Sequence, residues 1–359
     1  MKTLLRLLLK SQHQRNRSGP AQTEKGMTLV ELLVGAIMAF LIITPMLGFV
    51  VDMLNTDRRE QVKSNTEQDL QAAVDFIAQD LSQAIYIYDQ VGITTLNATT
   101  QLPPPPLNTT GTPILVFWKR QQIKNAVPVN KELTGAPIDC VPDVRPGTAG
   151  ECNDTYVLSL VAYYQIKDTT PNSTWCQPSG GPCPTRIARY EIRDGVKNPN
   201  SLDPTDPYYY DANDENQYAP NEAFHPSFDI SKPLVNVTNG PGTTFKPHQV
   251  LVNYIDHSPG PPVTGNVCQT ALGTPMDTTG GTPTEIPETT LKVTDNTGSP
   301  PYTNSFYACV DTSKNIARVT IRGNSLRRLQ PNYADYAANK SAYFPTASVQ
   351  VQGLGGLGK

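Results

Sequence analysis

The chain has 359 residues, 33 prolines, 25 glycines and a formal net charge of -3. Charged residues make up 17% of it, below the ~25% of average soluble domains, which is typical of an exported protein rich in turns. The acidic balance offers no basic stripe to neutralise phosphates, so nucleic acid is excluded as an expected partner.

The first predicted element is a basic leader over residues 1–26. Its positive charges, against a single Glu24, are Lys2, Arg6, Lys10, Arg15, Arg17 and Lys25. Because positive charge stays on the cytoplasmic side, we expect the N-terminus inside and everything after residue 51 outside. A secretory signal peptide is the alternative, but its apolar core is shorter, about 7–15 residues, and a cleavage motif follows it.

The second element is an apolar run over residues 27–51, long enough to cross a bilayer. It carries one carboxylate, Glu31, and a charge at the centre of a span costs roughly 2.5–3.5 kcal/mol, less near its end. The only other polar groups in the run are Thr28, Thr44 and the backbone. We therefore expect Glu31 to find its partner in another molecule. Pro45 lacks a backbone donor and is expected to kink or loosen the helix.

Residues 52–89 are predicted to continue this helix as an amphipathic segment packed on a globular head. Apolar residues recur there at spacings of three and four, which is typical of one helical face. They are Leu70, Ala73, Val74, Ile77, Leu81, Ala84, Ile85 and Tyr88.

Residues 90–346 are predicted to form a β-rich head, followed by a flexible Gly-rich tail over residues 347–359. Runs of β-branched and aromatic residues predict strands at 114–118, 156–166, 186–193, 250–255, 305–310 and 317–322. The strand over 186–193 alternates and is expected to be half-exposed, and a hairpin is expected between Asp311 and Asn315. The fold class is thus α+β, a long N-terminal helix on a mostly antiparallel sheet, with long loop insertions over 199–245 and 259–303.

All six cysteines follow the apolar run, and an even number on the oxidising side of a membrane predicts disulfides. Short loops favour Cys140–Cys152 and Cys176–Cys183, which leaves Cys268–Cys309. Zinc is the competing interpretation, but the chain contains no Cys-x-x-Cys pair.

The stretch Gly26-Met27-Thr28-Leu29-Val30-Glu31-Leu32-Leu33-Val34 resembles the processing site of type IV pilins and pseudopilins. The resemblance implies that a prepilin peptidase cuts after Gly26 and methylates the new N-terminus, Met27, where the family usually has phenylalanine. It implies that Glu31 pairs with the terminal ammonium of a neighbouring subunit. Assembly then proceeds through the N-terminal helix, including Thr28, Leu29 and Pro45, with other pilins or pseudopilins and inner-membrane lipid as partners.

Blocks of the head, with the helix over 57–89, resemble the pseudopilins of hormogonium polysaccharide secretion in filamentous cyanobacteria. The blocks are residues 115–120, 161–164, 187–193, 305–311 and 341–349. This resemblance implies a minor pseudopilin in polysaccharide secretion and gliding motility, processed in the inner membrane, with its head in the periplasm or on a surface filament. The alternatives are a minor pilin of a twitching, DNA-uptake or type II secretion machine, and a membrane-anchored carbohydrate-binding or hydrolytic ectodomain.

The sequence contains no nucleophile elbow, phosphate-binding loop, dinucleotide fingerprint or paired-His zinc motif, so we expect neither an enzyme nor a cofactor. His225, His248 and His257 are expected to be surface or turn residues.

An acidic segment is the weak candidate for a metal site. Its carboxylates and amide, Asp206, Asp211, Asn213, Asp214 and Glu215, offer the oxygens that calcium takes. The glycine and spacing of an EF-hand are absent, and we favour a solvated acidic loop. Tyr208, Tyr209 and Tyr210 in the same segment offer faces on which sugars stack, with ordinary loop packing as the alternative.

Overall fold

The computed structural model describes residues 28–128, 152–197, 220–240, 243–258, 265–278, 280–295 and 305–354. It confirms the α+β class, because one long N-terminal helix precedes antiparallel β-sheets. The chain divides into two compact units, residues 1–58 and residues 59–359.

Helix α1 runs from Leu29 to Ser82 without interruption at Pro45. Every residue from Leu29 to Gln61 is exposed. The buried residues of the helix lie in its second half and follow the predicted apolar face: Thr66, Leu70, Ala73, Val74, Ile77, Asp80 and Leu81. Packing of this half within the head is therefore confirmed.

The prediction that the helix extends to residue 89 was wrong. After Ser82 the chain turns into strand β1 (Ala84–Ile87), which pairs with the next strand, and helix α2 (Gln90–Ala98) follows. The segment from Ile85 to Tyr88 alternates β-branched and aromatic residues, which fit a pleated surface better than a helix. Ala84 and Ile87 are fully buried there.

The larger sheet has five antiparallel strands in the order β1-β2-β3-β4-β5. The four that follow β1 are β2 (Thr109–Pro128), β3 (Cys152–Asp168), β4 (Thr185–Arg193) and β5 (Gln249–Ile255). Each contains a predicted strand, and β2 and β3 are longer than predicted because they pair along most of their length.

A second sheet has the order β11-β10-β9-β8. Its strands are β8 (Lys292–Thr294), β9 (Phe306–Asp311), β10 (Ile316–Arg322) and β11 (Thr346–Gln352). Asp311 pairs with Ile316, which confirms the predicted hairpin. The division into two main sheets was not predicted.

The flexible tail predicted from residue 347 was wrong over residues 347–352, which lie in β11. This strand pairs with β10 along its whole length. Its alternate residues Ala347, Val349 and Val351 pack on the core, so an apolar alternation preceded the Gly-rich end. Residues 355–359 fall outside the described residues.

The insertion predicted as a loop over 259–303 contains secondary structure. Its elements are α3 (Val267–Leu272), β6 (Met276–Asp277), β7 (Thr284–Glu285), α4 (Glu288–Leu291) and β8. The disulfide Cys268–Cys309 ties α3 to β9, as predicted, and Cys176–Cys183 also forms. Helix α5 (Ser325–Leu329) and a 3-10 helix (Ala338–Tyr343) lie between β10 and β11.

One core lies between α1 and the inner faces of both sheets. It joins Leu70 and Ile77 of α1 to Phe117 of β2 and to Val319 of β10, whereas the adjacent Trp118 lies on the opposite face of the first sheet and stacks on Phe228. The second half of α1 is thus a central element of the unit formed by residues 59–359.

Candidate functional site

The first candidate site is the exposed part of α1. Helix α1 is long enough and apolar enough to cross a membrane, and no residue of its most apolar stretch is buried. Leu29 is 84% exposed and Phe40 is 72% exposed. Such a surface is stable in lipid or against other apolar helices, and not in water.

Thr28 and Glu31 form a capping box at the start of this helix. The backbone nitrogen of Glu31 donates to Thr28 Oγ1 at 3.3 Å, and the backbone nitrogen of Thr28 donates to Glu31 Oε2 at 3.4 Å. The Thr28 hydroxyl also donates to Glu31 Oε2 at 3.4 Å. This is the reciprocal pattern of Thr-x-x-Glu at a helix N-terminus.

The capping box corrects the expectation that the chain offers Glu31 no partner. Sequence reasoning missed it, although Thr28 and Glu31 have the spacing of the motif. All three bonds are longer than the usual 2.7–3.2 Å of a protein hydrogen bond, so the carboxylate is weakly held and its charge is not neutralised. Thr44 donates to the carbonyl of Phe40 at 2.8 Å.

Several sequence-predicted site residues fall outside the described residues, and the predictions made for them stay predictions. They are Gly26, Met27, Cys140 and the acidic segment with Asp206, Asp211, Asn213, Asp214 and Glu215. Since Cys140 is among them, the pairing Cys140–Cys152 also stays a prediction.

The second conspicuous cluster surrounds Asp80, near the end of α1. Its Oδ2 accepts from Arg189 Nε and from the Tyr163 hydroxyl, both at 2.7 Å, and its Oδ1 accepts from Lys119 Nζ at 3.0 Å. Glu191 lies 2.8 Å from Arg189 Nη1 and 3.2 Å from Lys119 Nζ. Two carboxylates therefore neutralise two cations between the helix and strands β2, β3 and β4.

Electrostatics favour the charged form of Asp80. Burial raises the pKa of this carboxyl, but the hydrogen bond and charge of Arg189, the charge of Lys119 and the Tyr163 hydroxyl outweigh burial and hold the pKa below its usual value. Burial, followed by the charge of Asp80, raises the pKa of Tyr163. Every oxygen of Asp80 is occupied, so the cluster fixes the helix on the sheet and provides no free acid or base.

Sequence reasoning missed this cluster and misjudged β4. The strand is almost wholly buried and not half-exposed, because its arginines are paired: Arg189 with Asp80, and Arg186 with Asp168 at 2.7 Å. A signal was available, since Asp80 lies three residues after Ile77 on the apolar face of α1. A buried carboxylate on such a face requires a cationic partner.

The histidines are only partly as predicted. The ring nitrogen Nδ1 of His225 accepts from the backbone of Ser227 in a turn, as expected. His257, in contrast, is 2% exposed, and Asp335 is 3.5 Å from its Nε2. Burial lowers the pKa of His257, so the imidazole is neutral in the head.

Within the described ranges, no group of three or more His, Cys, Asp or Glu residues is placed to hold a metal ion. No family model, curated protein or solved structure matches the chain.

Proposed function

We propose that the chain is a minor pseudopilin, a filament subunit or assembly-priming component of a type IV pilus-like apparatus involved in polysaccharide secretion and gliding motility. Its role is assembly and not catalysis. The apolar part of α1 anchors it in the inner membrane with the N-terminus cytoplasmic and the head periplasmic. A prepilin peptidase removes the leader, and the helix then packs with those of other pilins or pseudopilins.

The observation that carries this proposal is the position of Glu31. A single acid lies in the first turn of α1, where the helix is apolar and exposed, and it lies within the stretch that resembles a prepilin processing site. Its hydrogen bonds to Thr28 are long and come from neutral groups. An ammonium from a neighbouring subunit would bind this carboxylate more strongly, since charge-assisted hydrogen bonds are roughly twice as strong as neutral ones.

A second candidate function is a membrane-anchored ectodomain unrelated to filaments. The capping box favours it, because capping explains an acid at this position without any external partner.

The mass of the native N-terminal peptide separates the two functions. We expect a chain that begins at N-methyl-Met27, because a prepilin peptidase both cuts and methylates. A chain in the native membrane that retains the leader and carries no methyl group would refute the pseudopilin proposal and leave the anchored ectodomain.

Glu31→Gln distinguishes charge pairing from capping. Glutamine keeps the capping box but carries no charge. We expect the variant to be processed to the mature size. Its amount in sheared filaments should be at least about tenfold lower than that of the wild type, because one charged hydrogen bond is lost. Immunoblots of the sheared and membrane fractions measure this ratio.

Thr28→Ala is the matched variant, since it removes the cap and keeps the charge. We expect it to enter filaments better than Glu31→Gln does, because the charge is kept, with a local cost of about 1 kcal/mol at the helix N-terminus. Equal recruitment of Glu31→Gln and wild type, with poor recruitment of Thr28→Ala, would assign Glu31 to capping alone.

A further inference from the structure

A cavity of about 440 Å³ lies between α3 and the outer face of the second sheet. Its walls include Asn266, Val267 and Thr270 at α3 and Tyr307, Arg318 and Thr320 on β9 and β10. This volume falls in the range of about 300–1,000 Å³ that is typical of small-molecule sites. The cavity belongs wholly to the unit formed by residues 59–359.

The polar side chains that line the cavity form no hydrogen bonds with other described residues of the protein. Within the part of the chain that the structure describes, no hydrogen bond or ion pair is formed by the side chains of Asn266, Thr270, Arg318 and Thr320. Asn266 and Thr270 are exposed and Arg318 is partly exposed. These groups are therefore available to a polar ligand in the cavity.

The two walls are fixed before any ligand arrives. The disulfide Cys268–Cys309 joins α3 to β9. Both carboxylate oxygens of Glu288 accept from the backbone nitrogen of Cys268, at 2.9 and 3.0 Å, and one accepts from that of Gln269 at 3.0 Å. Both oxygens of the Glu288 carboxylate are thus already hydrogen-bonded to α3. Pre-formed walls reduce the entropy lost on binding.

The positive charge of Arg318 in the cavity favours a ligand that carries a carboxylate. Among the described residues that line the cavity, Arg318 is the single charged one. A guanidinium binds a carboxylate with two parallel hydrogen bonds. The hydroxyls and the amide around Arg318 match the hydroxyl groups of a sugar, and Tyr307 supplies an aromatic wall.

The polar surface continues beyond the cavity along β11. Arg318 is directly opposite Gln350, and Thr320 is opposite Ser348. Gln350 and Ser348 are exposed. Opposite residues of an antiparallel pair lie about 5 Å apart, so the row of side chains is long enough to contact more than one sugar ring.

We propose that this cavity binds the carboxylate of an acidic polysaccharide, a polymer that contains uronic acid. Arg318 binds the carboxylate, and Asn266, Thr270 and Thr320 bind hydroxyl groups of the same ring. The choice of a polysaccharide as the ligand rests on the proposed function. The site would let the head contact this polymer independently of the helix that packs in the filament.

The test measures binding of trigalacturonate to the purified full-length chain in detergent, by calorimetry, with its methyl ester as the uncharged counterpart. We expect the acid to bind and the ester to bind at least about tenfold more weakly, because a charged hydrogen bond contributes on the order of 1.5–3 kcal/mol. Arg318→Gln should weaken binding of the acid by a similar factor. Arg120→Gln, the same change at an exposed residue of β2, should have no effect.

Thermal unfolding of both variants verifies that they fold. Equal affinity for acid and ester, unchanged affinity in Arg318→Gln, or no binding by the wild type would each overturn the site. Displacement of trigalacturonate by an equal concentration of sodium acetate would also overturn the proposal, because it would show that the cavity binds any small anion. Because binding needs no filament, failure here with N-methyl-Met27 present would leave the proposed function intact.

Discussion

Asp80 shows how much of the fold depends on one side chain. Its partners come from residues 39, 83 and 109 positions away in the chain, Lys119, Tyr163 and Arg189. They bring one helix and three strands to a single carboxylate that is 7% exposed. A shift of the helix would leave the buried carboxylate of Asp80 unpaired and leave Lys119 and Arg189 with Glu191 as their one remaining counterion among the described residues, so the cluster favours a single position of the helix.

Asp80→Asn should destabilise the head by about 3 kcal/mol at neutral pH, the lower end of the cost of breaking a buried ion pair, because Glu191 remains beside both cations. Urea unfolding of the full-length chain in detergent measures the change. Asp75→Asn is the matched control, since Asp75 is exposed on the same helix, and it should change stability by less than about 0.5 kcal/mol. Equal effects of the two substitutions would contradict the role of the cluster.

The same carboxyl predicts a pH dependence. The pKa of this carboxyl is lower in the folded head than in the unfolded chain, so its contribution is present above the unfolded pKa and is lost as the pH falls through the folded pKa. The stability of Asp80→Asn should therefore fall less steeply than that of the wild type in this acid range. Parallel curves for the two proteins would show that Asp80 is not responsible.

At the scale of elements, β11 is the clearest departure from expectation. Its outward residues are polar and exposed, and its inward residues complete the core above β10. This alternating strand of seven residues lies just before a Gly-rich end, and the glycines there are more typical of a flexible tail than of a strand.

Deletion of residues 346–359 should lower the melting temperature by several degrees, whereas deletion of residues 355–359 should leave it unchanged. The first deletion removes Ala347, Val349 and Val351 from the core and exposes the edge of β10, a loss of at least about 2 kcal/mol. Thermal unfolding followed by circular dichroism compares the two proteins. Identical melting temperatures would show that β11 adds no stability.

For the whole molecule, the local pattern of the amino-acid sequence predicts the α+β class, the apolar helix, six of the strands and two of the disulfides. Most of these features depend on runs of neighbouring residues such as 114–118 or on the short loop between Cys176 and Cys183, whereas Cys268–Cys309 follows by elimination. The arrangement of the strands in two sheets, the cluster at Asp80 and the cavity at Arg318 depend on contacts between distant residues. A single sequence specifies these contacts only through the collective packing of the core.

The exposed apolar surface of α1 has a consequence for the assembly that we propose. Its large apolar side chains, spread over residues 29–54 and about half to four-fifths exposed, would cost on the order of tens of kcal/mol in water. No thermal fluctuation supplies that energy. In the pseudopilin that we propose, departure from lipid would have to coincide with capture by a bundle of other apolar helices, and a subunit without such a bundle would stay in the membrane.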